Sequence, residues 1–211
     1  MYIHEYFNEC KTHIATRVSN ANHEEVLSKN PDEWIDELIE NWSIPLIEEV
    51  KEPTHQYTTL KEGIRDYGRM AHIEVVYLVV EWQLQDHPKL GQTLELKPNP
   101  YNPLLPKTYY KDGCLTFKIR VGTITELDKP HVQERATTEL SETIDSFRKE
   151  FNLRNEQIER HISELRTFTE DNLRRRIEEV EKKEIALKQI TEKIQIPLKK
   201  RCEDIKIIKI N

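Results

Sequence analysis

Between residues 3 and 18, apolar side chains recur at steps of four, three, four and four: Ile3, Phe7, Cys10, Ile14 and Val18. That spacing places them on one face of an amphipathic helix. A second helix is predicted in NPDEWIDELIENW. Asn30 is placed to cap it, Pro31 suits the first helical position, and Asp32 and Glu33 favour the positive end of the helix dipole. Trp34, Leu38 and Trp42, with Ile39 adjacent, line its buried side. SIPLIEEV, 43–50, reads as a short extended segment, because Ser43 and Ile44 precede Pro45.

Residues 51–68 are polar and mixed, and read as a loop. MAHIEVVYLVVEWQLQ, 70–85, is rich in β-branched and aromatic residues and carries apolar groups in both of its alternating sets. That pattern predicts a strand buried on both faces. The following stretch to Lys107 is turn-rich and Pro-rich, with a short strand expected at residues 93–96. TYYKDGCLTFKIRV predicts a hairpin. Asp112-Gly113 is its turn, and Leu115, Phe117, Ile119 and Val121 alternate beyond it. Residues 43–122 together imply a small, mostly antiparallel sheet.

After Pro130 the texture changes. From His131 to Ile196 there is neither Gly nor Pro. One helix of that span would be on the order of 100 Å long, against a radius of gyration of about 17 Å for a compact domain of this chain length. It must protrude, kink or fold back. Leu140, Ile144, Phe147 and Phe151 form one apolar seam, and Ile158, Ile162, Leu165 and Phe168 a second. Leu173, Ile177, Val180, Leu187, Ile190 and Ile194 form a third. The step of five from Phe168 to Leu173 across polar TEDN is a phase break. Residues 169–172 therefore mark a kink, a reversal or a stutter in a straight helix, with Asn152 and Asn155 a weaker second point. The helix is expected to end at Pro197, leaving IKIIKI near the C-terminus as a strand or linker. The expected fold class is α+β: an α+β head over 1–128, a long helical, coiled-coil-like arm over 129–196, and an extended tail over 197–211.

Composition fits a protein with a long, solvated helical element: 36% apolar, 33% charged and 5 glycines. The net charge of −6 argues against bulk attraction to nucleic acid or anionic membrane. Cys10, Cys114 and Cys202 are far apart and odd in number, which disfavours a disulfide framework or a cysteine zinc site. No signal peptide is read at the N-terminus, and VVYLVV is too short to span a bilayer. A cytoplasmic setting is expected.

Candidate chemistry is sparse. The eight histidines show no HExxH spacing, and His72-Ile73-Glu74 lacks the PCxxC partner of zinc deaminases. No metal site is expected. No P-loop, GxGxxG or GxSxG is present, and no cofactor is expected. Glu95-Leu96-Lys97, with Asp86 upstream, matches the acidic and lysine positions of a PD-(D/E)xK nuclease, in which carboxylates hold a divalent ion. Asp86, Glu95 and Lys97 are thus the candidate catalytic set, and the tripeptide is common enough that a loop or edge strand is the plainer reading. Arg174, Arg175 and Arg176 fan over about 200° of a helix and cannot all enter one groove. Glutamates and lysines at i, i+4 spacing compensate them. A solvated helix face is the expectation there, and nucleic acid through these arginines and Lys199–Arg201 the less favoured alternative.

EEVLSKNPDEWIDELIENWSIPLIE, the KDGCLTFKI hairpin, NLRNEQIERHISELR and the closing IPLKKR together resemble the N-terminal region of a group of poorly characterised bacterial proteins. In that group a similar helix–sheet–long-helix module precedes a nuclease-like effector domain of the PD-(D/E)xK type. The resemblance implies a sensing, scaffolding or assembly module in a defence setting, and it transfers no catalytic residue. The reading that follows is a non-enzymatic interaction or oligomerisation module. A protein partner, or a second copy, would meet Leu140, Ile144, Phe147, Phe151, Ile158, Ile162, Leu165, Leu173, Ile177, Val180 and Leu187.

Overall fold

A computed structural model describes residues 1–66, 69–97 and 105–207. The order is α1 (Ile3–Ser19), α2 (His23–Ser28), α3 (Pro31–Trp42), β1 (Thr54–Asp66), β2 (Arg69–Gln83), α4 (Leu90–Glu95), β3 (Thr108–Lys111), β4 (Cys114–Thr123) and α5 (Pro130–Ile207). The class is α+β, with N-terminal helices, a four-stranded antiparallel sheet ordered β1-β2-β4-β3, and a long C-terminal helix. Two compact units divide the chain discontinuously: Met1–Asn8 with Ser43–Ser163, and Glu9–Trp42 with Glu164–Asn211. This differs from the expected boundary between 128 and 129, because most of the N-terminal helical segment groups with the later part of α5.

In the first unit, β2 is the central strand. Its Val76, Leu78, Val80 and Trp82 are buried with Leu84 just beyond the strand, as are Leu115, Phe117, Ile119 and Val121 of β4. The start of α5 covers this face with Val132, Ala136, Phe147 and Phe151, flanked by the half-buried Leu140 and Ile144. Trp82 meets Phe147 and Phe151 at ring-centroid distances of 6.2 and 5.3 Å, and Phe117 meets Phe147 at 4.7 Å. Each such side chain contributes about 1.5–3 kcal/mol by leaving water.

Burial of β2 on both faces forms only in part: Val75 of the second alternating set is fully buried, but Ile73, Tyr77 and Val79 are only half-buried, and Glu81 is exposed. One helix packing on one face is a two-layer solution. On the other face, the Tyr77 hydroxyl bonds to Glu62, which also pairs with Arg120 at 3.7 Å.

Residues 51–68 correct the sequence reading more sharply. They hold β1, paired with β2 from Thr54↔Glu81 to Asp66↔Arg69. Its side chains are largely exposed on both faces, Tyr57 at 64%. An edge strand of this kind has no apolar alternation to announce it; its threonines and Tyr57 supply the β preference instead. Residues 93–96 are likewise not a strand. Leu90, Thr93 and Leu94 stand at i, i+3 and i+4 and turn inward from α4. The segment 43–50 is extended as expected and makes one bridge, Glu49↔Leu84. Asn155 brackets it like a strand partner. Its amide accepts from Ile47 N and donates to Ile47 O, both at 2.8 Å. The residue read as a weak kink point is therefore a backbone clamp. Residues 98–104 of the turn-rich stretch lie outside the described residues.

The β3–β4 hairpin forms as predicted, with Asp112 at φ 50° and Gly113 at φ 76°. Positive φ at both central residues is what a two-residue type I′ turn requires. A Cβ on Gly113 would stand 2.8 Å from Gln83 Nε2 and 3.3 Å from Leu84 O. Gly113→Ala is expected to lower stability by about 1–2 kcal/mol, the cost of left-handed backbone plus the displaced glutamine. An unchanged urea midpoint would contradict this account of the turn.

In the second unit, Asn30 caps α3 as predicted: Asp32 N donates to its Oδ1 at 3.0 Å. Trp34, Ile35, Leu38 and Ile39 are buried. Trp42 stacks on His13 at 4.4 Å, the two rings nearly parallel. Cys10, Ile14 and Val18 of α1 and Leu165, Leu173 and Val180 of α5 complete the apolar set. Lys11 pairs with Glu164 at 3.5 Å, Arg166 pairs with Asp36, and Arg176 Nη2 donates to Ala21 O at 2.8 Å.

Helix α5 passes through residues 169–172 without a break, so no reversal forms there. Thr169 explains why. It is fully buried and stands four residues from both Leu165 and Leu173, so it carries the seam across the apparent gap. Its hydroxyl is satisfied by donating to Leu165 O at 2.7 Å, and Asn172 Nδ2 likewise donates to Phe168 O at 2.7 Å. The expected extended tail from 197 is also replaced by helix as far as Ile207. A proline removes one intrahelical hydrogen bond, and strong helix formers, Lys, Leu, Arg and Glu, surround this one. Residues 208–211, at the end of IKIIKIN, lie outside the described residues.

Candidate functional site

Within the first unit, α5 turns two charged residues toward the sheet side of the helix. Glu150 and Arg154 are four apart, and they share a face with Phe147 and Phe151 at i, i+3, i+4 and i+7 spacing. Their side chains are 1% and 8% exposed. Glu150 Oε1 accepts from Arg154 Nε at 2.9 Å and pairs with Nη2 at 2.8 Å. Arg154 Nη1 donates to Thr93 O at 2.8 Å, to Leu94 O at 2.9 Å and to Leu96 O. These are carbonyls at the end of α4, where intrahelical donors run out. The guanidinium therefore caps α4 and ties it to α5. Burial pushes Arg154 below its ordinary pKa, and the charge and hydrogen bonds of Glu150 oppose that shift.

Glu150 Oε2 is buried and has no hydrogen-bond partner. A cavity of about 200 Å³ lies here, lined by Glu150, Arg154, Leu94, Leu105, Pro106, Leu115, Phe147 and Phe151, with Glu95, Lys97 and Thr108. Two of the three sequence-predicted catalytic candidates, Glu95 and Lys97, thus border this cavity, and both are exposed. The Lys97 backbone is fixed by the N-terminus: Ile3 N donates to Lys97 O at 3.0 Å and Lys97 N to Met1 O at 3.1 Å. Asp86 is not among the lining residues. It lies beside the Gly113 turn, where, after burial itself, its charge helps push the Tyr110 phenol above its ordinary value.

Glu95 ends a helix rather than sitting on a strand, so Glu95 and Lys97 lack the alternating strand geometry of the nuclease pattern. Among the described residues no group of three or more His, Cys, Asp or Glu is placed to hold a metal ion. Glu150 and Arg154 were not singled out by sequence reasoning. Their signal was two opposite charges falling inside the phase of an apolar seam.

The other candidate residues follow α5. Leu140 and Ile144 are half-buried, and Phe147 and Phe151 buried, in the sheet's own core. Ile158, Leu165, Leu173 and Val180 are buried, and Ile162 and Ile177 half-buried. A partner surface running the whole seam is therefore corrected: the chain itself covers most of it. Beyond Val180 the picture changes. Ile185, Leu187 and Ile190 are 57%, 61% and 53% exposed. The side chain of Ile194 lies outside the described residues. A groove of about 450 Å³ opens beside Ile35, Leu173 and Ile177, with Asp32, Glu170, Glu178 and Arg174 at its edges.

Arg174 and Arg175 are exposed, and Arg174 pairs with Asp171 at 3.9 Å. Arg176 turns inward to Ala21 O and pairs with Glu179 at 3.3 Å. Lys182 pairs with Glu178 at 3.5 Å and Lys188 with Glu184 at 3.3 Å. The three arginines thus face different surroundings and two i, i+4 pairs follow them, the pattern of a compensated helix face. The side chains of Lys199–Arg201 lie outside the described residues. No helix among the described residues is long and apolar enough to cross a membrane.

No family model, curated protein or solved structure matches this chain.

Proposed function

We propose that this protein is a non-enzymatic association module whose docking surface is the face of α5 from Ile177 to Ile190. One observation carries the reading: the seam is covered as far as Val180 and exposed at Leu187 and Ile190, with Leu187 continuing its phase. Leu187 stands seven residues after Val180 on the same helix face. A helix segment without tertiary packing is marginal in water, so an apolar stripe on it calls for a covering partner. The groove at Ile35, Leu173 and Ile177 lies at the earlier end of the same seam, with charged edges of both signs, Asp32, Glu170, Glu178 and Arg174. The partner is a second copy or another cytoplasmic protein. The resemblance implies a defence setting for such a module.

Light scattering and co-purification test this. The wild-type chain is expected to show a concentration-dependent mass or to retain a stoichiometric partner. Leu187→Glu combined with Ile190→Glu is expected to abolish that association. Because both positions are exposed, the unfolding midpoint should shift by no more than about 0.5 kcal/mol per site. A wild-type protein that stays monomeric at high concentration and retains no partner would refute the proposal.

A further inference from the structure

We infer that β1 is the pairing edge of a two-fold dimer, in which two copies of this chain join their β1 strands antiparallel about Leu60 and continue the sheet from one copy into the next. This surface is a different one from the α5 face, and the inference goes beyond the association argued above.

The edge itself is the first observation. β1 runs for 13 residues, Thr54–Asp66, and among the described residues it is paired with β2 alone. Alternate residues of such an edge point their N–H and C=O outward without a strand partner. Folds blunt a free edge with proline, a bulge, a short strand or a cover. The opposite edge follows that rule, since β3 is only 4 residues long. β1 does not. It holds no proline, and its register with β2 runs from Thr54↔Glu81 to Asp66↔Arg69 without a shift. His55, Tyr57 and Thr59 are exposed on one face, and Gln56 and Leu60 on the other, so this stretch is uncovered from both sides.

The residues along the edge select a second copy as what covers it. A two-fold contact uses the same patch on both partners. Its axis stands perpendicular to the sheet and passes through a residue, since otherwise facing side chains would lie on opposite sides. Leu60 is the middle residue of β1, so an axis there pairs the whole strand, with Thr54 against position 66 of the second copy. An axis at Lys61 or Glu62 would set that charge against itself, which destabilises a strand pair. About Leu60, Lys61 faces Thr59, Glu62 faces Thr58, and Leu60 meets its own copy. Tyr57 faces Gly63, and the Met70 methyl lies over that glycine, 2.9 Å from where a Cβ would stand. Tyr57 and Met70, 64% and 66% exposed, are thereby brought together. A ring over a strand glycine, with a thioether beside it, is a favourable cross-strand contact. Leu60, itself exposed, is the third large apolar side chain that the pairing covers.

Charge changes at the axis test this, in the full chain carrying Leu187→Glu and Ile190→Glu so that the α5 face takes no part. The association argued for α5 is what those two changes remove from the wild type, and the β1 dimer is what they leave. Light scattering is expected to give that chain twice its monomer mass at high concentration. Adding Leu60→Lys, or Leu60→Glu, sets two like charges face to face at the axis, and each is expected to weaken dimerisation at least about tenfold. An equimolar mixture of the two variants is expected to recover the dimer, because an ammonium then faces a carboxylate. Recovery also shows that both variants are folded. A monomeric parent, a dimer indifferent to both charges, or a mixture no heavier than its components would overturn the inference. The α5 reading stands or falls separately, by what Leu187→Glu with Ile190→Glu does to the wild type.

Discussion

Replacing Arg154 by alanine is expected to lower stability by about 3–5 kcal/mol, the range for breaking a buried ion pair from one side. Three losses coincide. Glu150 keeps its charge in a site with almost no solvent and no counter-ion. The carbonyls of Thr93, Leu94 and Leu96 lose their shared donor. The long aliphatic stem of the arginine also leaves a gap beside the cavity. Chemical unfolding followed by tryptophan fluorescence reads the effect. The double change Glu150→Leu with Arg154→Met is expected to recover part of the loss, because apolar replacements remove both desolvation costs at once. A single-variant loss below about 1 kcal/mol would mean that water enters the site and screens the pair.

A loss of similar size, about 3–5 kcal/mol, is expected for Phe147→Ala. Phe147 is 4% exposed and sits where α5 meets the sheet. Its ring lies edge-on to Trp82 and tilted against Phe117 and Phe151. Truncation removes the ring's burial and leaves a void that two rigid strands cannot close. The emission of Trp82 should also change in the folded state, since the space beside its ring would admit water. Leu140→Ala, at a half-buried position, serves as the comparison and should cost distinctly less. Equal costs would mean that the helix is not anchored through Phe147.

These positions also show which parts of the structure could be read from residues. Helices α1 and α3, strand β2 and the Asp112-Gly113 hairpin were legible because apolar period, caps and turn chemistry agree in each. Strand β1 was not, because an edge strand exposed on both faces carries no alternation, and its threonines look like loop. Helix α4 was misread because Thr93, Leu94, Glu95 and Leu96 alternate as a strand would, while the spacing that matters runs from Leu90 to Thr93 and Leu94. Thr169 was discounted as polar, although a threonine whose hydroxyl bonds back into its own helix can occupy an apolar seam. Glu150 and Arg154 look like an ordinary surface pair at i, i+4, and only the neighbouring Phe147 and Phe151 betray their burial. Two of the expected catalytic residues did border the cavity, but the groups that define its chemistry come from a helix about 60 residues away.

The discontinuity of the second unit has a consequence in time. Asp36 meets Arg166 across 130 residues of sequence, and Ala21 meets Arg176 across 155. At about 5–20 residues per second, a ribosome needs on the order of ten seconds to add the segment that separates these partners. Through that interval Trp34, Ile35 and Leu38 have been synthesised, but the part of α5 that belongs to their unit has not. Contacts of such high sequence separation also close slowly in the complete chain. The helical N-terminal segment therefore spends its early life as an exposed apolar surface, the state that chaperones bind and that aggregation exploits.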